Sequence, residues 1–363
     1  MLHLGLALLV SALVGLFILR SRRLHRRFSL DARAASLRKV HDRAVPRIGG
    51  VAVFAGVGVA CCVLALQGSA VGITMLLMLA CALPAFFGGL GEDLSGRVSP
   101  TWRLLAIAAS AGLGYWLTGM SVIRVDLPGL DALLKQQVVQ VVFTVVCVAA
   151  LTNAINIIDG LNGLAGMVSV IILGGLAIVG VKVGDYLLVT GSLIVVGAVL
   201  GFLVWNYPRG HLFLGDGGAY LLGFLIAGLT IFAVKNNAQI SAWFAVLLLM
   251  YPVMELLFSI WRRKVLRRKP AAMPDAAHLH HLVYRRIVRW AVGPQVVKSA
   301  AQRNAAASPY LWGLTSMAVV PAVGFYDQTY ILMGFSAVFV ASYVWVYMRI
   351  VRWGVQRWVR VPR

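Results

Sequence analysis

The sequence predicts an all-α polytopic membrane protein of about eleven transmembrane helices, with its chemistry in loops on one face. Three observations carry that prediction. Of the 363 residues, 60% are hydrophobic and only 12% charged, too apolar for a soluble domain. The apolar residues gather in runs of about 20, long enough to cross a bilayer as helices. Those runs do not alternate in polarity, as the strands of a spanning barrel would.

Taken in order, the expected spans are residues 2–19, 49–66, 69–90, 101–119, 134–152, 161–180, 186–205, 217–235, 241–260, 309–327 and 330–350. The first has no basic segment before it and no small-residue cleavage site, so it is expected to remain as a signal anchor. Glycines interrupt the run at 161–180. No internal repeat or low-complexity linker divides the chain, so 1–363 is expected to form one integral membrane domain. Its cytoplasmic loops are expected at about 20–48, 91–100, 153–160, 206–216 and 261–308, with a cytoplasmic tail at 351–363. Cys61, Cys62, Cys81 and Cys147 fall inside spans without metal-ligand spacing and are expected to pack as core.

The net charge of +21 would suit a nucleic-acid partner, but its placement does not. With eleven spans and the N-terminus outside, 29 of the 33 Lys and Arg fall on one side, and only Arg124, Lys135, Lys182 and Lys235 on the other. This asymmetry follows the positive-inside rule, which puts the N-terminus in the periplasm and the C-terminus in the cytoplasm. The basic loops suit anionic membrane lipids, at about 1 kcal/mol per nearby charge.

Twelve acidic residues sort the function classes. Asp126, Asp131, Asp185 and Asp327 lie in short external loops and read as solvated residues. Asp31 and Asp42 belong to the first basic loop. Glu92, Asp93, Asp159, Asp216, Glu255 and Asp275 all map to the cytoplasmic side or the inner end of a span. An ion-conducting path would set acids at several depths, and a transporter would show paired broken helices in matching halves. Neither pattern is present, so a surface-level site on one side is expected.

Four segments carry its chemistry. Glu92-Asp93 end the third span, where two adjacent acids can turn toward one hard cation such as Mg²⁺, or simply favour the next helix start. Asn153, Asn156 and Asp159 recur every third residue, which puts them near one helical face. A carboxylate and two carboxamides there cost free energy unless bound, by a metal with a phosphate ester or by a neighbouring helix. Asp216 stands among Gly215, Gly217 and Gly218 at a helix start, where glycines let backbone N–H groups approach a phosphate. As a plain N-cap it would be ordinary. In the large basic loop, His278, His281 and Arg285 share a face if helical and suit a pyrophosphate or sugar hydroxyls better than zinc. An interfacial amphipathic helix burying Leu279, Leu282, Val283 and Ile287 in lipid headgroups is the other reading.

Together these segments resemble the polyprenyl-phosphate N-acetylhexosamine-1-phosphate transferases, the glycosyltransferase 4 type. The likeness runs from Pro46-Arg-Ile-Gly-Gly50 to the histidines near 281, in order and with suitable spacing. It is nearer to the bacterial undecaprenyl-phosphate GlcNAc-1-phosphate branch than to the phospho-MurNAc-pentapeptide translocases, because His278-x-His280-His281 replaces three consecutive histidines. The resemblance implies transfer of a sugar 1-phosphate from a UDP-N-acetylhexosamine to undecaprenyl phosphate, with UMP released and Mg²⁺ or Mn²⁺ required. It implies a place in the bacterial inner membrane and an initiating step of envelope-glycan synthesis, and it allows a homodimer.

Carried over by position, Asp216 and Asn156 match metal ligands, and Asp159 belongs to the same cluster. Phe213 matches a uracil-stacking residue and Asn162 a nucleotide-contacting one. Glu92-Asp93 match the paired acids near the lipid phosphate, while His278, His280, His281 and, through its spacing, Arg285 bind diphosphate and sugar. Glu92 stands where relatives commonly have Asp, Asn162 where many have Asp, and Ala219 where Ser or Thr is frequent. Glu92 keeps a non-catalytic membrane scaffold in view as a rival, beside a membrane transporter.

Overall fold

The computed structural model describes residues 1–21, 45–266, 278–288 and 304–358. Asp31, Asp42, Asp275 and most basic residues of the two large loops lie outside them. The described residues are helical almost throughout. In chain order the helices are α1 (Leu2–Arg20), α2 (Gly49–Leu66), α3 (Ala70–Cys81), α4 (Leu83–Ser95), α5 (Pro100–Leu113), α6 (Pro128–Leu134), α7 (Gln137–Ile158), α8 (Leu164–Val183), α9 (Tyr186–Asn206) and α10 (Gly215–Asn236). They continue with α11 (Ala242–Leu248), α12 (Met250–Trp261), α13 (Leu279–Leu282), α14 (Ser308–Gly324) and α15 (Thr329–Trp358).

Seven of these helices are long and apolar enough to cross a membrane. The count rises to nine if α3 with α4, bent by 46°, and α11 with α12, bent by 72°, are each one span. The other two expected spans, at 101–119 and 309–327, hold α5, prolonged by a wide π turn over Gly114–Thr118, and the 17-residue α14. Neither α5 by itself, at 14 residues, nor α14 is among those nine, so eleven is not reached on this measure. The bend at Ala82 has a sequence cause: Pro84 in the first turn of α4 has no N–H to continue α3.

The bundle is organised around α10, which is buried along nearly its whole length and packs on α2, α4, α7 and α8. Helices in lipid gain little from hydrophobic exclusion, so close backbone packing over small residues must hold them together. Two crossings show this at the Gly215 end of α10. A Cβ at Gly89 of α4 would lie 2.5 Å from the Gly217 nitrogen, and one at Gly50 of α2 would lie 2.4 Å from Gly218 Cα.

At the other end of α10 three of the four acids expected to be merely solvated, Asp126, Asp131 and Asp185, are structural ties. Asp126 accepts hydrogen bonds from Arg124 at 2.6 Å, Ser241 Oγ at 2.9 Å and the Ala242 N–H at 2.6 Å. Asp185 caps α9 by accepting from the Leu188 N–H at 3.1 Å and takes a second bond from Asn237 Nδ2 at 2.8 Å. Asp131 accepts from the Val125 N–H at 2.7 Å. Loop residues near a membrane still carry backbone polar groups that need partners, and these carboxylates supply them.

Candidate active site

The N-terminus of α10 brings together three of the expected acids from three separate segments. Gly215 begins the helix with φ +79°, a left-handed conformation that glycine adopts without strain. A Cβ there would collide with the Arg47 carbonyl at 2.1 Å and with Asp93 Oδ2 at 2.5 Å. The first free N–H groups of the helix then find carboxylates. Asp216 N–H donates to Asp93 Oδ1 at 3.0 Å and Gly217 N–H to Asp93 Oδ2 at 2.9 Å. The Gly215 N–H faces the Asp159 carboxylate. A helix start favours negative charge, and here that charge comes from the protein itself.

The glycines therefore work differently from the sequence expectation. They open the crossings to α2 and α4, and the N–H groups of Asp216 and Gly217 are engaged by Asp93 rather than offered to a phosphate. The side chain of Asp216 points away from that contact. Its Oδ2 takes an ion pair from Arg103, and its Oδ1 lies 3.5 Å from Arg47, which is also 3.6 Å from Asp93 Oδ1. Asp93 is all but buried, with 1% of its side chain exposed, whereas Arg47 is 38% exposed. Tyr220 completes the wall beside Arg103 and Asp216.

Arg47 and Arg103 were missed by residue-by-residue reading. Arg47 sits inside Pro46-Arg-Ile-Gly-Gly50, the start of the family likeness, and belongs to a loop with nine other Lys and Arg. Its segment is pinned by backbone bonds, with Phe213 N–H donating to the Pro46 carbonyl at 2.9 Å and Gly49 N–H to the Phe213 carbonyl at 2.8 Å. Phe213, half-buried, is thus held beside Arg47. Glu92 accepts a bond from the Val98 N–H at 2.8 Å and ties the turn after α4, so the two adjacent acids have separate partners.

Asp159 lies just past the end of α7, as its C-cap. Its carboxylate meets the start of α10 through the Gly215 N–H. Asn153 spends its amide on the Ala149 carbonyl at 2.8 Å, and Asn156 is half-buried on the last turn. Burial pushes the Asp159 carboxyl up to about 7; Arg47 and the Gly215 N–H oppose that, and the charge of Asp216 adds to it. Asn162 is buried in the following turn, where its N–H donates to Asn304 Oδ1 at 2.7 Å and its amide to the Pro208 carbonyl at 3.2 Å.

The histidines join this region through Gly160. A Cβ at Gly160 would lie 2.6 Å from His280 Nε2 and 3.6 Å from His281 Nε2, so the rings pack over the residue next to Asp159. His278 precedes the four-residue α13, and its ring stacks on that of His280 at 5.4 Å with an angle of 11°. His280 and His281 rings are 4.2 Å apart. Burial, together with the neighbouring His280, His278 and Arg285, lowers His281 to about 2, so its ring is neutral at physiological pH. Arg285 is exposed on the turn that follows. Leu279, Leu282 and Val283 are buried in the protein core rather than laid in a lipid interface, and the Ile287 side chain lies outside the described residues.

Among the described residues no three His, Cys, Asp or Glu side chains converge as a protein-only metal cage. The donor chemistry fits another kind of site. Mg²⁺ keeps several waters and binds through one or two carboxylates plus substrate phosphates. Asp216 offers such a carboxylate at 13% exposure, beside an Asp159 raised first by burial and further by the charge of Asp216.

Comparison with known proteins shows the family. The model of glycosyl transferase family 4 matches residues 75–234, the stretch that holds Asp93, Asp159 and Asp216. A probable undecaprenyl-phosphate N-acetylglucosaminyl 1-phosphate transferase of Bacillus subtilis is 31% identical over 250 residues, 68% of this chain and 67% of its own length. An undecaprenyl-phosphate alpha-N-acetylglucosaminyl 1-phosphate transferase of Thermotoga maritima is 28% identical, with 70% and 72% covered. A phospho-N-acetylmuramoyl-pentapeptide-transferase of Leuconostoc citreum is 23% identical over 107 residues, 28% of this chain and 32% of its own length. The chain thus stands nearer to the GlcNAc-1-phosphate branch.

Proposed function

The chain belongs to glycosyl transferase family 4, and on that premise we propose that it transfers an N-acetylhexosamine 1-phosphate from a UDP-sugar to undecaprenyl phosphate. UMP is the second product, and the reaction starts an envelope glycan at the cytoplasmic face of a bacterial inner membrane. The convergence of Asp93, Asp159 and Asp216 with Arg47 and Arg103 at one helix start carries this reading. The names of the relatives in Bacillus and Thermotoga support the acceptor and the transferred group.

In the proposed reaction an oxygen of the lipid phosphate forms a bond to the sugar-bearing phosphorus. The bond from that phosphorus to the bridging oxygen breaks, and UMP leaves with the electron pair. A phosphate monoester has its second pKa near about 6, so the nucleophile is largely dianionic at neutral pH and needs no strong base. The difficulty is bringing two anions together, and arginines aimed at the site offset that repulsion. Arg47, the more exposed of the two, suits the role of receiving a phosphate. Asp93 suits positioning better than covalent attack, because both its oxygens already accept backbone bonds.

Asp216 and Asn156 would hold Mg²⁺ or Mn²⁺, which when bound neutralises charge on the diphosphate. Phe213 and Asn162 would contact the nucleotide, and His278, His280, His281 and Arg285 the diphosphate and sugar. The test is UMP release by purified protein given undecaprenyl phosphate, Mg²⁺ and a panel of UDP-N-acetylhexosamines. Release that needs both lipid and metal and favours one sugar is expected. Folded, monodisperse protein that releases no UMP with any donor would overturn the transferase reading in favour of a scaffold.

A further inference from the structure

Glu255 has no part in the chemistry above, yet it is the most thoroughly enclosed carboxylate near the histidines. It lies on α12 with 1% of its side chain exposed. Its Oε2 is 3.4 Å from His278 Nδ1 and accepts from the Leu279 N–H at 3.3 Å. Its Oε1 is 3.7 Å from His280 Nδ1. Tyr251 and Tyr343 close the remaining sides of the pocket. An enclosed carboxylate is costly unless charge or hydrogen bonds compensate it, and here the compensation comes from two rings of one motif.

The geometry points to Glu255 as a positioning residue that holds the Nδ1 atoms of His278 and His280, so that their Nε2 atoms face the donor's diphosphate-sugar end. This rests on the transferase reading above. The two nitrogens lie on opposite sides of an imidazole, so a partner at Nδ1 fixes both the tautomer and the direction in which Nε2 points. For His280 that direction is visible: its Nε2 is the atom against Gly160, next to Asp159. A carboxylate serving only to start α13 would need one oxygen for the Leu279 N–H. The second oxygen faces His280 Nδ1 at 3.7 Å, an ion-pair distance rather than a hydrogen bond, and Tyr251 and Tyr343 share the carboxylate.

Glu255→Gln keeps the size of the side chain and replaces one acceptor oxygen by a donor, so it disturbs the tautomers with little change in packing. Purified E255Q is expected to lose roughly 10–100-fold in kcat/KM for the UDP-sugar, with the KM for undecaprenyl phosphate unchanged. Nitrogen NMR of histidine-labelled wild-type protein, at a pH where the rings are neutral, is expected to show His278 and His280 protonated at Nδ1. E255Q should remove that signature from at least one of them. A wild-type spectrum with both rings protonated at Nε2 would overturn the proposal, even if E255Q fails to fold. So would an E255Q enzyme that keeps kcat/KM for the UDP-sugar, or one that loses both substrates equally with an unaltered histidine spectrum. Wild-type protein that transfers nothing would instead sink the transferase reading, while the spectrum still decides the geometry.

Discussion

Asp93 and Asp216 are joined twice: the Asp216 N–H donates to Asp93 Oδ1 at 3.0 Å, and the Arg47 guanidinium lies 3.6 and 3.5 Å from their carboxylates. The first contact fixes the start of α10 on α4. The second sets one positive charge over two negative ones.

The fixed contact makes Asp93 structural as well as chemical. Asp93→Asn keeps the shape but leaves one acceptor oxygen for two backbone N–H groups, so one hydrogen bond is lost and the other loses its charged acceptor, at about 1–3 kcal/mol for the orphaned donor. Unfolding in detergent should show a lower midpoint for the variant, beyond any loss of transfer. An unchanged midpoint would mean that the cap carries no stability.

Arg47 reaches both carboxylates with one planar group, which the point charge of lysine does not reproduce. Arg47→Ala should lower the transfer rate by roughly 10²-fold, the scale of losing one electrostatic donor. Arg47→Lys should fall between the alanine variant and the wild type. Equal rates for Arg47→Ala and wild type would remove Arg47 from the mechanism.

The glycine crossings can be tested with an internal control. Gly89→Ala or Gly217→Ala puts a methyl group against neighbouring backbone, 2.5 and 2.9 Å away, and should destabilise by about 1–3 kcal/mol. Gly174→Ala meets nothing within 4 Å and should be neutral or slightly stabilising. The measurement is the detergent-solubilised unfolding midpoint of all three.

Asp126 at the far end of α10 should give an acid-dependent contribution. Partial burial alone would raise its carboxyl, but bonds from the Ala242 N–H, Ser241 and Arg124 outweigh that and hold it below its usual 3.8. The folded state therefore binds its proton less readily than the unfolded state. Its contribution is fully present above the unfolded value and is lost as pH falls through the lower folded value. Wild type should exceed Asp126→Ala in stability at neutral pH, and the gap should shrink below about pH 4. A gap independent of pH would refute the assignment.

Chelation by EDTA should abolish transfer, and added Mg²⁺ should restore it. Asp216→Asn should need more Mg²⁺ for half-maximal rate. Full activity after exhaustive chelation would exclude the proposed metal.

Much of the fold was legible because apolar runs of spanning length announce themselves without tertiary information. The acid cluster was legible only in part. Asp93, Asp159 and Asp216 stood out as charges at the ends of apolar runs, and the structure does bring them together. Their partners did not stand out. Arg47 and Arg103 are two arginines among 33 basic residues, and only the three-dimensional meeting of α4, α5 and α10 singles them out. The roles of Gly89 and Gly217 were hidden for a related reason. A glycine needed for a helix crossing and one needed for a phosphate look alike in one dimension. The helix that carries Asn153 and Asn156 stops at Ile158, so Asp159 follows as its C-cap, a boundary that the spacing alone does not show.

Because α10 begins where carboxylates from two earlier segments terminate, the order of synthesis matters. The ribosome delivers Asp93 first, then Asp159, and last the backbone donors at 215–217 that link them. A nascent chain that has emerged through Asn236 already holds every member of the acid cluster, whereas Glu255 and the histidines arrive later. The acid cluster and the histidine group are thus separate events in the protein's biogenesis. A chain cut short between them would carry the acids into the membrane without the histidines that pack over Gly160.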